Sequence, residues 1–225
     1  MNTSPPADLV PAWLWRATAL GLIAMVALIG AGVLLIAGGA TDPPVAGPVV
    51  WADEALRWAA EALAAGRDGW ASAPVPLPAP PADFTLAVRA RLPAAANPLA
   101  AWGVWLAGAD GSRTVYAISA AGYLTTRRCP AEQPIPDALE DCPALRPEQE
   151  WSAYPRIRPP GGANTVALHR EPDGAIRLRV NGERLGAAQV DLAGAWGVWA
   201  RGAGGESPRV TWERAELRAA SWGSG

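Results

Sequence analysis

The feature that most constrains this chain is an uncharged run near its start, Ala17 to Ala40, reading ATALGLIAMVALIGAGVLLIAGGA. As a helix it reaches roughly 36 Å, against about 30 Å of bilayer hydrocarbon. A cleavable leader carries an apolar core of only about 7–15 residues, and a buried soluble helix keeps a polar face. Residues 17–40 are therefore expected to be a transmembrane helix in contact with the lipid bilayer. The small residues Gly38 and Ala40 resemble a leader's cleavage site, so removal of the helix is the alternative. Arg16 precedes the run, and Asp42, Asp53 and Glu54 come after it. Positive charge stays on the cytoplasmic side, so the tail 1–16 is expected inside and the remainder in an extracytoplasmic position in the cell membrane. Trp13 and Trp15 suit the headgroup belt. Gly21, Ala24, Ala27 and Ala31 recur at helical spacing, which would let a second transmembrane helix approach closely. Plain Ala- and Gly-rich composition produces the same pattern.

Past Ala40 the chain loses this helical character. Residues 41–82 are rich in Pro and Ala, with TDPPVAGP and APVPLPAPPAD reading as an extended stalk. Between those stretches, residues 52–65 have helix-forming composition, with Asp53 and Glu54 at the start and Gly66 at the C-cap. Leu56, Ala59, Ala60 and Leu63 form a thin apolar stripe on it. That stripe would pack on the domain, on the membrane or on a partner.

From Phe84 the period changes to two. FTLAVRARL sets Phe84, Leu86 and Val88 against Thr85, Arg89 and Arg91. Further short runs come after it: AWGVWLA, TVYAIS, YLTTRR, TVALHR, AIRLRV, AWGVWAR and RVTWERAEL. They are punctuated by Asp110-Gly111, Ala-Ala-Gly at 120–122 and Asn181-Gly182. The last is a hairpin signal, because both turn positions need positive φ. Turns every 8–12 residues or so indicate an all-β sandwich over residues 83–220. The pentapeptide AWGVW occurs at Ala101 and again at Ala195. Equivalent central strands of two facing sheets would account for the repeat.

Composition narrows function by exclusion. All 19 basic residues are Arg, scattered through a chain of net charge -2, so nucleic acid is not an expected partner. Trp occurs 12 times and Phe once, so Trp carries the aromatic packing. Cys129 and Cys142 are the only cysteines; in an exported segment they are expected to form a disulfide. A metal or redox pair would need further ligands, and the chain holds a single His, His169.

The series AWGVWLAGADGSRTVYAISAAGYL, Trp151, GGANTVALHREPDGAIRLRVNGERL, GAWGVWA and VTWERAEL resembles the concanavalin A-like lectin/glucanase superfamily. It is most similar to the laminin-G-like modules that bacteria attach to surface proteins. The resemblance covers about Asp83 to Ala219 and implies an antiparallel jelly-roll sandwich. Such domains usually open with an Asp-aromatic strand and a Gly-Trp segment; Gly69-Trp70 is the nearest remnant here. The family holds lectins, hydrolases and structural modules, so it does not decide function.

Its sugar-cleaving members pair carboxylates on one strand. Glu213 and Glu216 are the nearest approach, and a spacing of three puts them on opposite faces unless a bulge intervenes. No enzyme, no cofactor and no metal site is expected; Asp110 and Asp173 alone do not make a calcium site. The acidic set Glu132, Asp137, Glu140 and Asp141 reads as a solvated face. Tyr116, Tyr123, Trp151, Tyr154, Trp102, Trp105, Trp196 and Trp199 are the pool from which a sugar-stacking platform would be drawn. By alternation Trp102 and Trp105 face opposite sides, as do Trp196 and Trp199, so one of each pair is core. Trp105, Tyr123, Arg127 and Asn164 are the ligand candidates, with Asn164 and Asn181 equally suited to loop geometry. Two readings result: an anchored, non-catalytic module that binds a glycan or another envelope component, and an accessory subunit of a larger membrane complex. Exposed aromatics in a groove would favour the first. An exposed Trp patch would favour the second.

Overall fold

The computed structural model describes residues 12–37, 47–63, 68–78, 83–131, 139–145, 150–202 and 209–219. The chain divides at residue 42 into two compact units. The first contains helix α1, Ala12–Ala37, of which Trp13–Val33 is long and apolar enough to cross a membrane. It starts before the expected boundary and takes in Arg16, because nothing in AWLWR breaks a helix and each added turn satisfies backbone groups that would otherwise be orphaned. Its large apolar side chains, among them Trp13, Trp15, Leu20, Ile23 and Leu28, are exposed all round. The expected helix residues 38–40 lie outside the described residues.

The second unit is a sandwich of two six-stranded antiparallel sheets. Its elements in chain order are β1 (Val49–Glu54), α2 (Arg57–Leu63), β2 (Asp68–Ser72), β3 (Phe84–Arg91), β4 (Ala101–Gly108), β5 (Arg113–Ser119) and β6 (Tyr123–Cys129). After a 3-10 turn at Leu139–Asp141 come β7 (Ser152–Ala153), β8 (Asn164–Arg170), β9 (Ala175–Val180), β10 (Glu183–Gln189), β11 (Leu192–Arg201) and β12 (Thr211–Ala219). Sheet I has the order β1-β12-β3-β8-β9-β10, and sheet II the order β2-β11-β4-β5-β6-β7. The alternation read from sequence sets the inner faces: Phe84, Leu86, Val88, Val166, Leu168 and Ile176 from sheet I meet Trp102, Val104, Tyr116, Ile118, Trp196 and Val198 from sheet II. Trp102 and Trp212 meet edge-on across the core, with ring centroids 5.7 Å apart. Asn181 and Gly182 both take positive φ, 52° and 91°, and close the β9–β10 hairpin as expected.

Much of the expected stalk belongs to the sandwich. Residues 49–54 form the edge strand of sheet I against β12, and residues 68–72, with Gly69-Trp70, form the edge strand of sheet II against β11. The expected helix 52–65 loses its start, because the edge of β12 captures Trp51 to Glu54 first; its end at 64–65 lies outside the described residues. Ala- and Glu-rich composition favours helix locally, but ladder hydrogen bonds and burial decide the outcome. Trp51 and Trp58 both pack edge-on against Trp196, at 5.7 and 6.0 Å, and Leu56, Ala59 and Leu63 are buried in the core. Of the three settings open to the stripe, the domain's own core is the one it takes, with Ala60 left outside.

Candidate functional site

The repeated pentapeptide organises the outer face of sheet II. The two copies do not lie in facing sheets; they are neighbours, β4 and β11, paired antiparallel about Val104 and Val198. Each copy's second Trp therefore stands opposite the other copy's Gly: Trp105 opposite Gly197, and Trp199 opposite Gly103. A Cβ at Gly197 would run into the Ala71 carbonyl and the Trp105 ring, so the glycine is the space the indole occupies. Trp105 Nε1 donates to the Val198 carbonyl at 3.2 Å. Trp102 and Trp196 point into the core, as alternation requires, but their outward partners are buried too.

The described part of the cover is Leu139 to Cys142, tied to β6 by the Cys129–Cys142 disulfide. Leu139, Cys129 and Cys142 lie over Ala101, Trp105, Val115, Ala117 and Trp199, with Trp70 and Trp151 at the margins, making a second small core outside the sandwich. Arg127, on the outward side of β6, is buried beneath this segment and donates to the Glu140 and Cys142 carbonyls at 3.2 and 2.8 Å.

Along one margin the cover leaves a cleft of about 260 Å³. Its floor is the end row of the sheet: Arg201 of β11, Ser119 of β5 and Tyr123 of β6. Pro98, Leu99 and Ala121 form one wall, and Glu140 and Trp151 the other. Arg201 is the centre. Its guanidinium lies 5.7 Å from the Trp151 ring and 5.8 Å from the Trp199 ring. It donates through Nη1 to Glu140 Oε2 at 2.5 Å and through Nε to the Leu99 carbonyl at 3.2 Å. Trp151 Nε1 donates to the other Glu140 oxygen at 2.9 Å. Partial burial works against the Glu140 carboxylate, but the Arg201 and Trp151 hydrogen bonds outweigh it and hold the group below its ordinary pKa. Glu140 and Asp141 are exposed, as the solvated-face reading expects, with Glu132 and Asp137 outside the described residues. Glu140 is also bonded into the cleft wall; Leu99 of the other wall and Tyr123 of the floor stay exposed as well.

The four sequence-based candidates do not come together. Trp105 and Arg127 are buried under the disulfide segment, with their polar atoms bonded within the protein. Asn164 is buried in sheet I, where its carbonyl accepts from the Arg158 amide and from Asn181 Nδ2, tying a loop to the β9–β10 hairpin. Tyr123 alone reaches the cleft. No sequence signal singles out Leu99, Glu140 or Arg201 as its companions. Trp151 belongs to the aromatic pool, and nothing local joins it to Arg201, 50 residues on.

Elsewhere, His169 shares a hydrogen bond with Thr85 Oγ1 across the β3–β8 pair at 2.9 Å; burial, aided by Arg179 and Arg177, lowers its pKa. Glu213 and Glu216 do share a face, because a bulge between Trp212 and Arg214 inserts one residue. Both are engaged: Glu213 with Arg89 and Arg91, Glu216 with Arg214 and Arg218. A gap of about 40 Å³ between the sheets, beside the buried Tyr116 hydroxyl that finds no partner among the described residues, has room for water but not for a sugar ring. Among the described residues no three His, Cys, Asp or Glu side chains stand together as a metal site would require.

The chain matches no family model and no curated protein. Solved structures similar to it are sandwich domains. The carbohydrate recognition domain of Emp47p shares 12% identity over 70% of this chain and 81% of its own, with a TM-score of 0.48. The galectin LEC-6 of Caenorhabditis elegans shares 13% over 67% and 95%, at 0.42. Carbohydrate binding module CBM66 from Bacillus subtilis shares 9% over 69% and 81%, at 0.41. Likeness at this level carries no residue-by-residue role, so the functional reading rests on the cleft itself.

Proposed function

We propose that this chain is a membrane-anchored, extracytoplasmic and non-catalytic module that recognises a glycan or another envelope component in the Tyr123–Trp151–Arg201 cleft. The observation that carries the reading is an exposed Tyr123 beside Trp151, with a guanidinium fixed between two indoles at the floor. Aromatic faces stack on the C–H face of a sugar ring, and a pre-positioned Arg donates to hydroxyls without losing rotamer freedom. Among the described residues Glu140 is the one carboxylate lining the cleft, and both its oxygens are already bonded; glycoside hydrolysis uses two. The anchor reading is supported by α1, whose described apolar side chains are exposed, as is the seam at Gly21, Ala24, Ala27 and Ala31. The extracytoplasmic reading is supported by the disulfide, which persists in oxidising compartments.

The test is glycan-array binding by the full chain in lipid nanodiscs, alongside Trp151→Ala and Tyr123→Ala. Each variant is expected to bind roughly tenfold more weakly, since aromatic hot spots are worth about 1–2 kcal/mol or more. A chain that captures no glycan and migrates from native membranes inside a large fixed assembly is an accessory subunit instead.

A further inference from the structure

We infer that the cleft selects a neutral saccharide ring and discriminates against charged sugars, uronic acids most of all. This rests on the reading of the cleft as a glycan site and adds the chemical class of its ligand.

Size comes first. At about 260 Å³ the cleft falls below the roughly 300–1,000 Å³ of sites for drug-sized ligands, so it seats about one ring, with any further rings of a chain lying outside it. Charge comes next. Among the described residues one cation and one carboxylate line the space, Arg201 and Glu140, and they are paired at 2.5 Å. A charged ligand of either sign would give up its hydration on entering an apolar rim of Pro98, Leu99 and Tyr123 and find no uncompensated counter-charge. A neutral ring gives up only hydroxyl hydration. It recovers a hydrogen bond from the guanidinium N–H groups that find no partner among the described residues beyond Glu140 and Leu99, and stacking from Trp151 and Tyr123. The two signs are not equivalent. The Glu140 side chain is 41% exposed and that of Arg201 15%, because the cation is sunk between two indoles while the carboxylate stands at the wall. An approaching carboxylate therefore meets Glu140 before Arg201. The lowered pKa of Glu140 keeps that barrier charged at neutral pH.

The experiment is saturation-transfer NMR on the full chain in nanodiscs. The probes are methyl glucoside, methyl galactoside and methyl mannoside, the matching uronic acids, and protonated glucosamine. At least one neutral glycoside is expected to bind about tenfold more tightly than its uronic acid, with the amine between them. Glu140→Gln keeps a neutral amide in place and leaves Arg201 uncompensated; it is expected to raise the acid-to-neutral affinity ratio about tenfold. Loss of the loop's shape in that variant would weaken all probes together and leave the ratio unchanged, so an unchanged ratio overturns the inference. So does a uronic acid or amine that binds the native chain as well as its neutral partner, and in that case the cleft remains a glycan site. If no probe of any class binds, the glycan reading falls and the selectivity falls with it.

Discussion

The outer faces of the two sheets obey the same alternation and end in opposite states. On sheet I the outward positions carry Arg89, Arg91, Arg177, Arg214 and Arg218, answered by Glu171, Glu213 and Glu216, and the long charged chains lie half-exposed. On sheet II the outward positions carry Ala101, Trp105, Val115, Ala117 and Trp199, and all five are buried. Sheet I is covered by its own long side chains, which bury Thr85, Ala167 and Arg179 at its centre and leave the charged ends partly exposed. Sheet II needs a second layer, supplied around Leu139 and Cys142 and stapled to β6 by Cys129–Cys142. Energy is expected to be concentrated where the cover lies, and the cleft forms where the cover stops.

Three perturbations sharpen this contrast. Gly197→Ala places a methyl group against the Ala71 carbonyl and the Trp105 ring. It should cost about 3 kcal/mol or more, at the severe end for overpacking, seen as a lowered midpoint in denaturant unfolding. The double change Cys129→Ser with Cys142→Ser opens a loop with a sequence separation of 13. Chain entropy puts its cost at about 3 kcal/mol, and released cover should also expose Trp105 and Trp199 to a fluorescence quencher while sheet content by circular dichroism persists. Quencher access equal to that of the native chain would mean the cover holds without its staple. Arg89→Ala on sheet I removes a partner of Glu213 from an open surface and should shift stability by about 0.5 kcal/mol at most. A loss as large as either change on sheet II would erase the distinction between the faces.

Most strands from Phe84 onward, the Asn181-Gly182 hairpin, the disulfide and the apolar helix were legible in the sequence, while the two-residue β7 carried no signal. Each rests on interactions within a few residues or on a period that burial imposes on one strand. Three further things were not. The edge strands at 49–54 and 68–72 lie in Pro- and Ala-rich segments whose local preference points elsewhere, and they are strands because β12 and β11 offer unpaired backbone. The repeat AWGVW was visible, but its meaning was not: only antiparallel register sets each Trp opposite the other copy's Gly. The cleft joins Leu99, Tyr123, Glu140, Trp151 and Arg201 across about a hundred residues. Alternation reports which way a side chain points from its strand. Whether that side is water or a second layer depends on which distant segment folds over it, and that is settled by tertiary packing alone.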